Sequence, residues 1–291
     1  MSPESKTRRI VVEHAYKVYG TSDDRVHALD DVNIEVADGE FVCIVGPSGC
    51  GKSTLLWSIS GLMPLTQGRI LLGGEEIRKP RDEIVLVFQD ANLLPWRTLM
   101  ENIKFPLEIK RLPIAQYEER IEAWLREVGL TGFQDRYPGE LSGGMQQRAS
   151  IVRCLTFDPS VVLMDEPFAA LDALTREDMN QLIQQLWMET GKTIIFVTHN
   201  IDEAVFLADR VILLSARPGR VAREFSIELP RPRDIDMRYD PEVAKLLGEI
   251  KRSMGGRPGT APRTTWPARE EDSELRCELS GVVVPPGTRC T

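Results

Sequence analysis

The sequence predicts an α/β fold with a mainly parallel sheet, an antiparallel β subdomain beside it and an inserted helical subdomain. Three observations carry this expectation. Short β-branched apolar runs recur along the chain, helical patterns lie between several of them, and one long central stretch is helical in pattern with no strand. Continuous rather than alternating hydrophobicity marks strands buried on both faces. Strands alternating with helices are the pattern of a parallel sheet.

The continuous runs are residues 41–45, 84–88, 161–164, 193–197 and 211–214. Segments 10–14, 32–37 and 68–72 alternate apolar with polar residues and read as half-buried antiparallel strands. Helical patterns cover 52–60, 143–157, 173–190 and 201–207. Between about 90 and 159 the patterns at 114–128 and 143–157 form the helical subdomain. Residues 256–291 change character, with Pro258, Pro262, Pro267, Pro285 and Pro286 and no periodicity, and read as a flexible Pro-rich tail. The expected division is one folded domain over 1–255 and this tail.

Composition narrows the function. At 291 residues, 42% apolar and 27% charged, the chain is long enough for a large core, which excludes wholesale disorder. The net charge of −8 argues against a protein whose main task is neutralising nucleic-acid phosphates. One small phosphate ligand remains compatible, because a local nest of backbone N–H groups can hold it. No apolar stretch approaches the ~20 residues of a membrane span, and no secretory leader is expected. Five scattered cysteines without a C-x-x-C pair suggest a reducing compartment and a cytosolic protein. Cys43 and Cys154 sit in apolar runs and read as small buried hydrophobes; Cys277 and Cys290 lie in the tail.

Residues Gly46, Pro47, Ser48, Gly49, Cys50, Gly51, Lys52, Ser53 and Thr54 follow a buried strand and open a helical pattern, fitting G-x-x-x-x-G-K-[ST] in its required context. This predicts a P-loop NTPase core. Glycines let backbone N–H groups turn toward phosphate oxygens, and the helix N-terminus adds partial positive charge. Lys52 is expected to reach the β- and γ-phosphates and Ser53 to ligate Mg²⁺.

Parallel sheets bind ligands at the carboxyl ends of their strands. There the runs end in Gln89, in Asp165 and Glu166, and in Thr198 and His199. Adjacent carboxylates repel without a cation, so a metal is the natural third party. Asp165 therefore suits Mg²⁺, and Glu166 suits orienting or deprotonating the attacking water. Ser142 is a good N-cap, but Gly143 and Gly144 each cost about 1 kcal/mol in helix propensity. Two such glycines predict a close approach at this helix start, with a second phosphate as the obvious candidate.

Together these motifs resemble the ATP-binding cassette (ABC) ATPases, in family order over about residues 10–230. Gly46–Thr54 resembles the Walker A loop, Gln89 the Q-loop, residues 141–146 the signature, and 161–166 Walker B with its catalytic Glu166. Asp172 resembles the D-loop acid, His199 the switch histidine, and Tyr19 the aromatic that stacks on adenine. The resemblance implies ATP and Mg²⁺, with Gln89 joining Ser53 and Asp165 at the metal. It also implies a head-to-tail homodimer in which Ser142, Gly143, Gly144 and Gln146 of one subunit close over ATP held by the other.

The segment 90–97, with its Leu-Leu-Pro-Trp run, and the segments 215–220 and 229–234 resemble the nitrate/sulfonate/taurine importer subfamily. Ala169 departs from the Gly or Ser often found there. This resemblance implies integral membrane permease subunits, an extracytoplasmic solute-binding protein reached through the complex, and a place on the cytoplasmic face of the inner membrane. Trp96 is then either a knob at the permease interface or a core aromatic. The competing reading is a soluble ABC ATPase acting on nucleic acid or the ribosome. The stretch between Gln89 and Leu141 is too short for a long coiled-coil insertion, and the acidic charge speaks for no nucleic acid.

Overall fold

The computed structural model describes residues 8–20 and 24–255. The predicted tail at 256–291, with Cys277 and Cys290, lies outside the described residues.

The chain opens with two long antiparallel strands, β1 (Arg8–Tyr19) and β2 (Val26–Ala37). The central strand β3 (Phe41–Val45) follows and leads through a loop into helix α1 (Lys52–Ile59). Strands β4 (Gln67–Leu72) and β5 (Glu75–Glu76) return to the first sheet, giving the antiparallel order β2-β1-β4-β5. Only one face of that sheet is buried, which explains the alternation of Ile10 with Val12, Ile34 with Val36 and Ile70 with Leu72.

Strand β6 (Ile84–Val87) begins the other half of the main sheet. Then come three helices: α2 (Leu99–Ile109), α3 (Glu118–Glu127) and α4 (Gly143–Leu155). They share their own apolar core, including Leu99, Ile103, Ile121, Leu125 and Val152. The chain continues through β7 (Val161–Asp165), α5 (Ala173–Thr190), β8 (Thr193–Val197), α6 (Ile201–Leu207), β9 (Arg210–Leu214), β10 (Val221–Ser226) and α7 (Pro241–Gly255). The main sheet has the order β10-β9-β3-β8-β7-β6, parallel throughout except for the β9–β10 pair.

Every residue of β3, β7 and β8 is buried, as their unbroken apolar runs require. Successive side chains still take opposite faces. Phe41, Cys43 and Val45 join a core with α4, α5, α6 and α7, while Val42 and Ile44 join a core with α1 and the antiparallel sheet. Phe196 centres the first core, its ring 6.3 Å from that of Phe41 and 5.4 Å from that of Phe168. Burying such a ring contributes on the order of 1.5–3 kcal/mol.

The structure differs from the sequence-based expectation at several elements. Helix α2 lies where no helix is expected, because Pro106 and Asn102 interrupt its apolar stripe. Asn102 is fully buried and donates to the carbonyls of Leu94, Arg97 and Thr98, while Thr98 and Glu101 form a capping box. The pattern at 114–128 splits into a 3-10 turn, Ile114–Gln116, and the shorter α3. Strand β10 is an edge in which only Phe225 is buried, so its charged residues hide it from a hydrophobicity reading. Cys43 is fully buried as expected, but Cys154 is only half-buried.

Arg233 shows how a polar group is used inside this core. It is 5% exposed, and Nη1 donates to the carbonyls of Val205, Phe206 and Ala208, closing the C-terminal end of α6. Burial pushes its pKa down to about 10. No helix among the described residues is long and apolar enough to cross a membrane.

Candidate functional site

Because β3, β6, β7 and β8 run parallel, their carboxyl ends share one edge, and the motif residues collect there. Loop 46–51 crosses from β3 to α1. Gly51 caps α1 at φ 98°, and a Cβ there would lie 2.6 Å from the Ala28 carbonyl oxygen, so only glycine fits. Lys52, the first residue of α1, is 5% exposed. Its Nζ donates to the Gly46 and Pro47 carbonyls at 2.9 and 3.3 Å and stands 3.6 Å from Glu166 Oε1.

Asp165 ends β7 and is buried. Its carboxylate accepts from Ser53 Oγ at 2.9 Å and from Trp57 Nε1 at 3.2 Å. Burial pushes the Asp165 carboxyl above the ordinary range and the Glu166 charge adds to this, while Ser53, Trp57 and Lys52 pull it back. Glu166 adopts φ 45°, in the left-handed region that disfavours a side chain. Backbone strain of this kind is held by its surroundings and concentrates at functional sites. Glu166 Oε2 is 2.7 Å from His199 Nδ1, in the loop after β8. One carboxylate thus sits between a buried ammonium and an imidazole.

Tyr19, Ser48, Gly49, Gly51, Lys52, Ser53, Thr54 and Glu166 line a single cleft of about 380 Å³. Tyr19 is 37% exposed at its rim, with Oη 3.2 Å from Thr54 Oγ1. Cys50 is buried and its thiol is pushed up by that burial, so its side chain belongs to the core and the backbone alone faces the loop. Gln89 is exposed just beyond the end of β6.

Ser142, Gly143, Gly144 and Gln146 are not among the residues of this cleft. Ser142 caps α4, accepting from the Met145 N–H. Gln146 Nε2 is committed to the Pro138 and Leu141 carbonyls. The two glycines differ. A Cβ on Gly144 would lie 2.7 Å from Thr175 Cγ2, whereas a Cβ on Gly143 would meet nothing within 4 Å. Part of the predicted close approach is therefore internal: Thr175, which binds the N-capping Asp172 of α5, presses on Gly144.

Two residues of the site escaped the sequence reading. Trp57 stands one helical turn after Ser53, and this i,i+4 spacing puts both on Asp165. Arg217, in the turn after β9, lines the cleft and donates from Nε to the Gly49 carbonyl at 3.2 Å. Arg217 lies in the segment 215–220, but its place at the cleft follows from the sheet order, which brings β9 beside β3. Among the described residues no group of three or more His, Cys, Asp or Glu side chains is placed to hold a metal. A hydroxyl and a carboxylate together, as at Ser53 and Asp165, suit a hard cation that completes its shell with phosphate oxygens and water.

A glycine-rich loop at a helix N-terminus, its lysine, and an acidic pair on the next strand but one define a P-loop nucleoside triphosphatase. Comparison with known proteins makes this more specific. The family model for ABC transporters matches residues 29–169. An uncharacterized ABC transporter ATP-binding protein of Methanocaldococcus jannaschii is 49% identical over 84% of this chain and 94% of its own length. The taurine import ATP-binding protein of Roseobacter denitrificans is 45% identical over 85% of this chain and 90% of its own. An aliphatic sulfonates import ATP-binding protein of Bacillus cereus is 39% identical over 82% and 94%. Among solved structures, a dimeric ATP-binding cassette in a post-hydrolysis state with ADP and Pi is similar at TM-score 0.67 and 34% identity, covering 76% of this chain and all of that one. The chain belongs to the ABC transporter family and is an ATP-binding, ATP-hydrolysing cassette.

Proposed function

We propose that this chain is the ATPase subunit of an importer for a small anionic solute such as taurine, an alkanesulfonate or nitrate. It works as a head-to-tail homodimer on the cytoplasmic face of the inner membrane, bound to permease subunits and served by an extracytoplasmic solute-binding protein. We assign residues 1–255 to the ATPase domain, with the helical subdomain at about 90–159. The observation that carries the hydrolytic part is the placement of Glu166 between Lys52, at 3.6 Å, and His199, at 2.7 Å. The names of the taurine and sulfonate relatives support the solute class.

The residues divide the work. In the free protein Lys52 is satisfied by two loop carbonyls and Glu166; triphosphate oxygens replace them and draw the ammonium away from Glu166. Glu166 is then released to accept a proton from the attacking water, and His199 orients both water and γ-phosphate. Tyr19 stacks on the adenine, and Gln89 senses the γ-phosphate from the end of β6. Ser53 Oγ and Asp165 would hold Mg²⁺, with Gln89 as a further ligand. Such a cation would supply positive charge to offset that of the triphosphate. Ser142, Gly143, Gly144 and Gln146 of the second subunit close the sandwich, and Asp172 organises the seam. Trp96 is 71% exposed, so it is no core aromatic, and it offers the permease an apolar contact in the segment that follows Gln89.

Affinity capture of the chain from detergent-extracted native membranes tests this assignment. The expected result is a two-to-two complex with a multi-span permease that, in proteoliposomes, accumulates labelled taurine, alkanesulfonate or nitrate when ATP is supplied. Recovery with DNA or ribosomal partners would overturn it.

A further inference from the structure

Behind the Glu166–His199 pair lies a second cavity of about 20 Å³, whose walls include Arg176 and Glu203. That volume has room for one water molecule. Neither side chain has a part in the phosphate chemistry described above. Glu203 is 5% exposed, and a buried carboxylate persists only where its charge is matched and its lone pairs are used. Its partners therefore show what it holds.

Glu203 Oε2 accepts from Thr198 Oγ1 at 2.6 Å, and Oε1 accepts from Asn200 Nδ2 at 3.3 Å. Thr198 and Asn200 flank His199, and the Asn200 N–H closes the loop on Thr198 Oγ1 at 3.0 Å. On its other side Glu203 Oε1 stands 3.4 Å from Arg176 Nε. Arg176, in α5, donates from Nη2 to the Leu171 carbonyl at 2.7 Å and from Nε to the Phe168 carbonyl at 3.4 Å. Those carbonyls belong to the short loop between Glu166 and Asp172. One ion pair thus ties the loop carrying His199 to the loop joining the general base to the N-cap of α5.

We propose that Arg176 and Glu203 are positioning residues that make these two loops move as one. When Asp172 seats at the seam between subunits, the same rigid connection sets Glu166 and His199 on the attacking water. The pair would thereby link dimer closure to chemistry, and this inference rests on the head-to-tail reading. Its effect falls on turnover and on cooperativity between the two sites. Nucleotide affinity stays with the Lys52 cleft, which neither side chain lines.

The test compares full-length wild type, Glu203→Gln, and the double variant Arg176→Met with Glu203→Gln. ATP affinity without Mg²⁺, kcat, the Hill coefficient for ATP, and the melting temperature are read for each. Glu203→Gln keeps an acceptor for Thr198 but loses the charge that holds Arg176. It is expected to bind ATP within about twofold of wild type while kcat falls about tenfold to a hundredfold and cooperativity is lost, as for misplaced catalytic groups. The double variant leaves no charge unpaired, so it is expected to melt near wild type and remain slow and non-cooperative.

Wild-type kcat and cooperativity in Glu203→Gln would overturn the inference. So would recovery of both in the double variant together with its melting temperature, since the pair would then only stabilise. A wild type that is itself non-cooperative, and whose Glu166→Gln form stays monomeric in ATP, would instead overturn the head-to-tail reading and the inference with it.

Discussion

Gly143 and Gly144 allow stability and activity to be separated at the start of one helix. Gly143 faces open space, so alanine there removes only the helix-propensity penalty of glycine. The gain is at most about 1 kcal/mol, which for a domain of this size raises the melting temperature by about 2–4 °C. Alanine at Gly144 brings its Cβ to 2.7 Å from Thr175 Cγ2. Thr175 cannot rotate away without breaking its 2.7 Å hydrogen bond to Asp172, so a loss of about 1–2 kcal/mol is expected. Thr175→Ser, which deletes Cγ2 and keeps Oγ1, should relieve that loss. Activity should follow a different order. If the second subunit's γ-phosphate arrives at Gly143, the more stable Gly143→Ala protein will hydrolyse ATP about a hundredfold more slowly, as when a preorganised phosphate contact is lost. It will also fail to form the ATP-trapped dimer in a Glu166→Gln background. Thermal melts, steady-state phosphate release and gel filtration with ATP read the three effects. A Gly143→Ala protein with wild-type turnover would refute the placement of a phosphate at this helix start.

The other expectations concern the cleft. Glu166→Gln should lower turnover by about a hundredfold or more while trapping an ATP-bound dimer, read as phosphate release and gel-filtration mass. Lys52→Ala should raise the Kd for ATP measured by calorimetry, and unchanged affinity would remove Lys52 from the phosphate site. Asp165→Asn should abolish Mg²⁺-dependent hydrolysis and yet melt above wild type at neutral pH. Burial raises the folded pKa of Asp165 above its ordinary 3.8. The stability linked to its proton is therefore complete below that value and lost as pH rises through the raised pKa. The melting-temperature difference should accordingly narrow as pH falls, and a lower melting temperature at neutral pH would contradict this account.

The parts of the fold legible in the sequence are those where one rule acts alone. Strands β3, β7 and β8 are buried on both faces and read as unbroken apolar runs; α5 and α6 lie where their periodicity puts them. Helix α2 was hidden because its stability is partly polar: Asn102 is spent on three backbone carbonyls inside the subdomain. Helix α7 was written in the spacing of Val243, Leu247 and Ile250, but it adjoins Pro-rich text that masks the period. At the site, the strand-end residues Gln89, Asp165, Glu166 and His199 were legible because parallel topology fixes which end of a strand faces a ligand. The Lys52–Glu166–His199 chain, the Trp57 contact and Arg217 were not, since each depends on which strands become neighbours. The signature glycines were half legible. Sequence predicted a close approach at both; the fold places Thr175 against Gly144 and open space at Gly143.

The hydrogen bond from Trp57 to Asp165 has an optical consequence. The indole N–H donates to Asp165 Oδ2, while Ser53 Oγ donates to Oδ1 of the same carboxylate, the group suited to an arriving divalent cation. Charge appearing at that carboxylate alters the field along the indole ring, so the emission of Trp57 should shift as the site fills. Metal and nucleotide loading can then be followed in real time without a label, with Trp57→Phe as the blank.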